Sequence, residues 1–304
     1  MALTACSLQP PSSPEDPLTE LSKVPFFPQT IHECGPAALA TVLNYSAAAT
    51  TPEALAREVY IPGRRGSLQV ELLAATRRHD RLPFVIDPDV DDLRAEVAAG
   101  YPVLVLQDLG IAGIRRWHFA VVIGYDPGRD VYILRSGTER RRHESARDFA
   151  AGWEKSGRWG MIVLPAGALP ATATAEGYTR ALMAAAGRIP EELVELNFDA
   201  AVARWGDSAL LLFAAANSAY ANNALTKAEA LYRRVLTLDE GQVVARNNLA
   251  ELLLDRGCVT AGQREADLAQ RMAPPDSPFL AALGDTNWRA RSMPPDGDPA
   301  DCYQ

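Results

Sequence analysis

The 304-residue chain predicts an α+β domain followed by an all-α region of repeated helix pairs. Helical patterns dominate residues 34–78, and short runs of β-forming residues dominate residues 83–164. Beyond an Ala/Thr/Pro-rich stretch at 165–176, every strong pattern is helical again. Helices followed by antiparallel strands is the order in which helices cover one side of a sheet. The length allows two domains, each with its own core.

The elements follow in order. Residues 1–20 read as a flexible tail rich in proline and serine. A domain spanning 21–168 opens with a helix over Cys34–Tyr45, in which Pro36 is tolerated in the first turn and Leu39, Val42 and Leu43 mark burial. Thr51-Pro52-Glu53 is a helix start, with a capping threonine and proline at the first helical position, and a further helix covers Val70–Arg78. Pro83–Ile86 and Val103–Leu106 read as strands on either side of a helix, Val90–Ala99, that Gly100 closes. His118–Tyr125 and Val131–Leu134 form a hairpin about the turn Asp126–Asp130, and Trp159–Leu164 is a last strand.

Residues 169–206 are expected to be linker and connecting helices. In 207–275, the helices Ala209–Asn222, Thr226–Leu238, Val243–Arg256 and Gly262–Met272 form two pairs offset by about 34 residues, and they resemble tetratricopeptide repeats. Ala228, Tyr232 and Asn248-Leu249-Ala250 carry the resemblance, which implies a protein partner docked on the repeats. Gly262 departs from it, standing where the repeat prefers alanine. An ordinary helical bundle is the alternative. Residues 276–304 read as a Pro-rich tail.

The net charge of -8 comes without a basic stripe, since the densest cationic run, Arg140–His143, is short, and nucleic acid is not an expected partner. No uninterrupted apolar stretch reaches the roughly 18 residues of a membrane span. The four cysteines form no C-x-x-C pair, so neither a zinc site nor a disulfide framework is expected, and no metal or organic cofactor is implied. Leu3-Thr4-Ala5-Cys6 resembles a lipoprotein cleavage site followed by its tether, although no apolar signal helix precedes it. Lipidation at Cys6, with a place in a bacterial cell envelope, is the expectation if translation starts upstream; otherwise the protein is expected in the cytoplasm.

Cys34 is the residue that carries chemistry. At a helix start, unpaired backbone N–H groups and the helix dipole favour a thiolate, Gly35 permits close backbone approach, and Pro36 opens the helix without wasting a donor. The segment Val24–Leu43, with Val24-Pro25-Phe26-Phe27-Pro28-Gln29 ahead of Cys34-Gly35-Pro36, resembles the active-site segment of papain-like bacteriocin (double-glycine) leader peptidases. Trp117–Tyr125 resembles the family's histidine strand, which implies a papain-like α+β fold with Cys34 as nucleophile and His118 as base. Gln29 takes the place of the oxyanion donor, one residue closer to the cysteine than is usual. Of the other histidines, His32 lies on the approach loop, His79 at a polar helix end and His143 in the basic run.

The third member departs from the family, which places an aspartate or asparagine near the end of the next strand. Asp126 lies in the turn, about 25 Å along the strand from His118 at 3.3 Å per residue. Folding the hairpin brings Ser136 opposite instead, and a hydroxyl holds an imidazole tautomer without stabilising the imidazolium as a carboxylate does. Glu139 is a further candidate if the strand end bulges. The expected function is hydrolysis of a peptide bond or another amide through an acyl-thioenzyme, with a peptide or protein as substrate. The alternative is an inactive scaffold that binds peptides and recruits a partner; acyl transfer to an amine uses the same residues.

Overall fold

The computed structural model describes residues 18–28, 33–110, 114–294 and 302. The chain divides into two compact units, one reaching Pro165 and including Pro170–Thr172, the other comprising Ala166–Leu169 and the residues from Ala173 onward.

In the first unit, α1 (Cys34–Tyr45) is buried from Cys34 to Leu43. Its sequence has almost no polar face, so it forms the centre of the domain, and its few polar groups satisfy themselves locally: the Thr41 hydroxyl donates to the Ala37 carbonyl at 2.9 Å. The helices α2 (Pro52–Val59), capped by Thr51, and α3 (Gln69–Arg78) pack beside it, with a 3-10 turn Pro62–Arg64 between them. β2 (Leu82–Val85) and α4 (Val90–Ala98) follow, then β3 (Val103–Asp108), β4 (Trp117–Asp126), β5 (Val131–Ser136), β6 (Glu139–Ser145), α5 (Ala146–Glu154) and β7 (Gly160–Leu164).

The antiparallel sheet runs β2-β7-β3-β4-β5-β6, and the short β1 (Thr19–Glu20) pairs with the far end of β4. One sheet face, carrying Leu104, Leu106, Phe119, Val121, Ile123, Ile133 and Met161, packs on Ala38, Leu39, Val42 and Leu43 of α1. The other face receives α5, where Tyr132 stacks on Phe149 with ring centroids 4.2 Å apart.

Two elements were not expected. Arg140–His143 lies in β6, an edge strand whose charged side chains guard its unpaired side, and α5 starts from a Ser145 cap that accepts the Asp148 N–H at 3.1 Å. At the polar end of α3, His79 Nε2 and Glu58 Oε1 form a hydrogen bond of 3.0 Å.

The second unit is a repeat-like helical region: α6 (Ala175–Ala185), α7 (Glu191–Arg204), α8 (Ala209–Ala221), α9 (Leu225–Leu238), α10 (Val243–Asp255), α11 (Val259–Met272) and α12 (Leu280–Ser292). The helix α12 falls within the stretch expected to be a tail. Asn217 Oδ1 accepts from the Tyr232 hydroxyl at 2.6 Å and from Asn248 Nδ2 at 3.0 Å, which ties α8, α9 and α10 together. Gly262 has a packing reason: a Cβ there would stand 2.8 Å from Leu254 Cδ2, so α11 approaches α10 more closely than alanine allows.

Cys258 and Cys302 are joined by a disulfide, with their Cα atoms 5.6 Å apart, against the expectation of unpaired thiols. Their 44-residue separation, with one partner inside the Pro-rich end, left no spacing to read. Closing a loop of that length is worth about 4 kcal/mol in the chain-entropy picture. Reduction, or Cys302→Ser, is therefore expected to lower the unfolding midpoint of the helical unit in urea by a corresponding amount. A midpoint indifferent to reductant would show that the bond adds no stability.

Candidate active site

Cys34 stands at the first position of α1, whose N-terminus no side chain caps. Pro36 has no N–H, so the first turn aims the N–H groups of Cys34 and Gly35 outward, and both act on the sulfur. The backbone N–H of Phe119 acts on it as well, which places the thiol against the start of β4, one residue from His118. Burial dominates over these donors and pushes the Cys34 thiol above its ordinary value. Cys34 is the only free cysteine among the described residues.

β4 alternates. Trp117 and Phe119 face a cleft of about 300 Å³ that Cys34 borders, and His118 between them projects to the other surface of the pleat. There His118 Nε2 and Ser136 Oγ form a hydrogen bond of 2.9 Å. The register explains the meeting. Val121 pairs with Arg135, so Ser136 shares the pleat face of His118 and reaches it diagonally at the end of β5, where the pairing with β6 is irregular. Ser136 Oγ is the one bonded partner of the ring among the described residues, and it leaves Nδ1 available. Burial, together with the positive charges of Arg116 and Arg142, lowers the His118 pKa to about 4.

The other residues singled out in the sequence fall apart from this pair. Asp126 Oδ1 accepts the Arg129 N–H at 3.1 Å and closes the hairpin turn. Glu139 pairs with Arg142 at 3.4 Å. His143 lies against Arg141 on the exposed edge strand. Gln29, His32 and Cys6 lie outside the described residues. Among the described residues no cluster of three or more His, Cys, Asp or Glu side chains is arranged to hold a metal.

Three features escaped the sequence reading. Asp108 Oδ1 accepts the backbone N–H groups of Gly110 at 2.9 Å and Arg116 at 2.8 Å, so it holds both ends of the loop that delivers Trp117 and His118. Gln107, the cross-strand neighbour of His118, donates to Glu144 at 3.1 Å in a buried pair, and burial raises the Glu144 pKa. Ser67, ahead of α3, presses on Gly35: a Cβ at Gly35 would stand 2.6 Å from Ser67 Oγ and 2.7 Å from Ser67 Cβ. Nothing local in the sequence marks Ser67; the glycine after the cysteine was the only trace of that approach.

Comparison with known proteins agrees with this architecture. Residues 21–161 match the Peptidase_C39 like family. Among solved structures, the chain is similar to a protein described as a C39-like peptidase from Bacillus anthracis, at 16% identity and a TM-score of 0.42, covering 49% of this chain and 98% of that one. It is also similar to the peptidase domain of Streptococcus ComA, a bi-functional ABC transporter of a quorum-sensing pathway, at 20% identity and a TM-score of 0.39, covering 47% and 98%. A third is a double glycine motif protease from an AMS/PCAT transporter, solved with its leader peptide, at 20% identity and a TM-score of 0.36, covering 47% and 93%. No curated protein matches the chain.

Gly35→Ala is expected to cost about 1 to 3 kcal/mol by overpacking against Ser67, and a second change, Ser67→Gly, is expected to recover most of it. Chemical denaturation of the two variants checks this, and additive losses would contradict the contact. The first unit thus carries an α+β C39-like domain, and a repeat-like helical region follows it.

Proposed function

We propose that the first unit is a cysteine peptidase in which Cys34 is the nucleophile, His118 the base and Ser136 the group that orients the imidazole. The observation that carries this reading is the hydrogen bond between His118 Nε2 and Ser136, made one residue from the N–H that contacts the thiol. With Nε2–H donating to Ser136 Oγ, Nδ1 holds the lone pair and is the nitrogen that takes the thiol proton.

At rest the His118 side chain lies on the pleat face away from Cys34, so the ring must swing to the sulfur at the start of β4 before chemistry begins. The Cys34 S–H proton then passes to His118 Nδ1 as the sulfur bonds to the substrate carbonyl carbon, and the oxygen becomes an oxyanion. The Cys34 backbone N–H and, by family resemblance, the Gln29 side-chain amide receive that charge. The C–N bond breaks, His118 returns the proton to the departing amine, and an acyl-thioenzyme is left. Water then loses a proton to His118, attacks the thioester and releases the acid with the thiol restored.

Burial acts against charge on both partners, so the resting pair at neutral pH is thiol and imidazole and not an ion pair. That neutrality, and a hydroxyl where the family has an aspartate or asparagine, favour one other reading, a site that grips peptides without cutting them. On the envelope side, the Cys258–Cys302 disulfide supports a place in an oxidising compartment, consistent with lipidation at Cys6. The repeat-like helices are proposed to dock a protein partner.

Hydrolysis of fluorogenic peptides separates cutting from gripping. Cys34→Ala is expected to abolish turnover, and Ser136→Ala to lower kcat about tenfold, the worth of one neutral hydrogen bond. Since the His118 pKa is lowered, the ring stays a competent base as pH falls below 6.5 and is lost only as it protonates near pH 4. The acid limb of kcat/KM is expected there. Turnover that survives Cys34→Ala contradicts the assignment.

A further inference from the structure

The cleft beside Cys34 is lined on one side by the residues joining the 3-10 turn to α3, notably Arg64, Arg65 and Ser67, and on the other by Trp117 and Phe119. The two arginines are exposed, and neither has an ion pair or a side-chain hydrogen bond among the described residues. Other arginines of this acidic chain are held by carboxylates: Arg78 by Glu58, Arg141 by Glu20 and Arg115 by Asp108. Among the described residues no carboxylate lines the cleft.

Ser67 lines the cleft, and its buried Oγ has no hydrogen-bond partner among the described residues. A buried hydroxyl left unpaired costs free energy that a ligand group can recover. It sits beside Gly35, next to the nucleophile. The apolar surfaces of Leu106, Trp117 and Phe119 complete a site with an unsatisfied hydroxyl, an apolar wall and a cationic rim.

We infer that the cleft selects acidic peptides: Arg64 and Arg65 receive carboxylate side chains of the substrate while Ser67 hydrogen-bonds its backbone. Guanidinium groups hold carboxylates through paired N–H donors, and in a cleft free of competing anions their field also concentrates such peptides from solution. The inference rests on the peptidase reading for what happens after binding, and on the cleft alone for what is bound.

The test uses octapeptide pools with Glu, Gln or Arg fixed at each position in turn, prepared with free and with amidated C-termini. Binding is read by fluorescence anisotropy on full-length Cys34→Ala, and cleavage on the wild-type protein. Glu pools are expected to bind about tenfold more tightly than Gln pools, the worth of one charge-assisted hydrogen bond, in amidated form as well as free. The preference is expected to shrink as salt is raised and to vanish in Arg64→Ala/Arg65→Ala. Equal binding of Glu and Gln pools, a preference confined to free C-termini, or one that survives the double substitution overturns the inference. Gln pools cleaved as fast as Glu pools would remove the acidic selection and leave the peptidase standing. Glu pools bound selectively but never cut would sustain the selection and remove the peptidase.

Discussion

The contact on which the site depends is the one between the first turn of α1 and the first residues of β4. The uncapped helix start supplies N–H groups to the Cys34 sulfur, and the Phe119 N–H completes them from the strand. Everything around it fixes that approach. The apolar face of β4 packs the strand on α1, Asp108 holds the loop that brings Trp117 in, and Gly35 allows Ser67 to close over the helix start. A helix so thoroughly buried has little freedom to tilt, so the thiol position follows from core packing more than from any bond to the sulfur itself.

The same packing sets the electrostatic character of the pair. Depth in the core pushes the thiol and the imidazole toward their neutral forms, and the arginines near His118 push the ring further the same way. A carboxylate in place of Ser136 would oppose that by stabilising the imidazolium; the hydroxyl orients the ring without doing so. In the proposed mechanism the proton moves from sulfur to nitrogen only when the substrate arrives.

Much of this was legible in the sequence because it is local. Cys34-Gly35-Pro36 can be read as a helix start from three residues, and Trp117–Asp126 as a strand from its apolar run. Ser136 followed from counting around the hairpin, and the structure places it on the pleat face of His118. What stayed hidden depends on distant or unpatterned residues. β6 is too charged to announce itself as a strand, and only pairing with β5 makes it one. The Cys258–Cys302 bond and α12 belong to a stretch whose prolines read as a tail. Ser67 has no sequence signature, because its importance lies in what Gly35 lacks.

The central claim is that Cys34 and His118 act as one unit, and the most direct measurement is the rate of Cys34 alkylation by iodoacetamide from pH 3 to pH 10 in the wild-type protein and in His118→Ala. The account predicts a wild-type rate that rises as His118 loses its proton near pH 4, then holds level to alkaline pH, whereas the variant reacts only as the thiol itself ionises. Superimposable profiles, both rising only at alkaline pH, would contradict it and leave the cleft as a binding site.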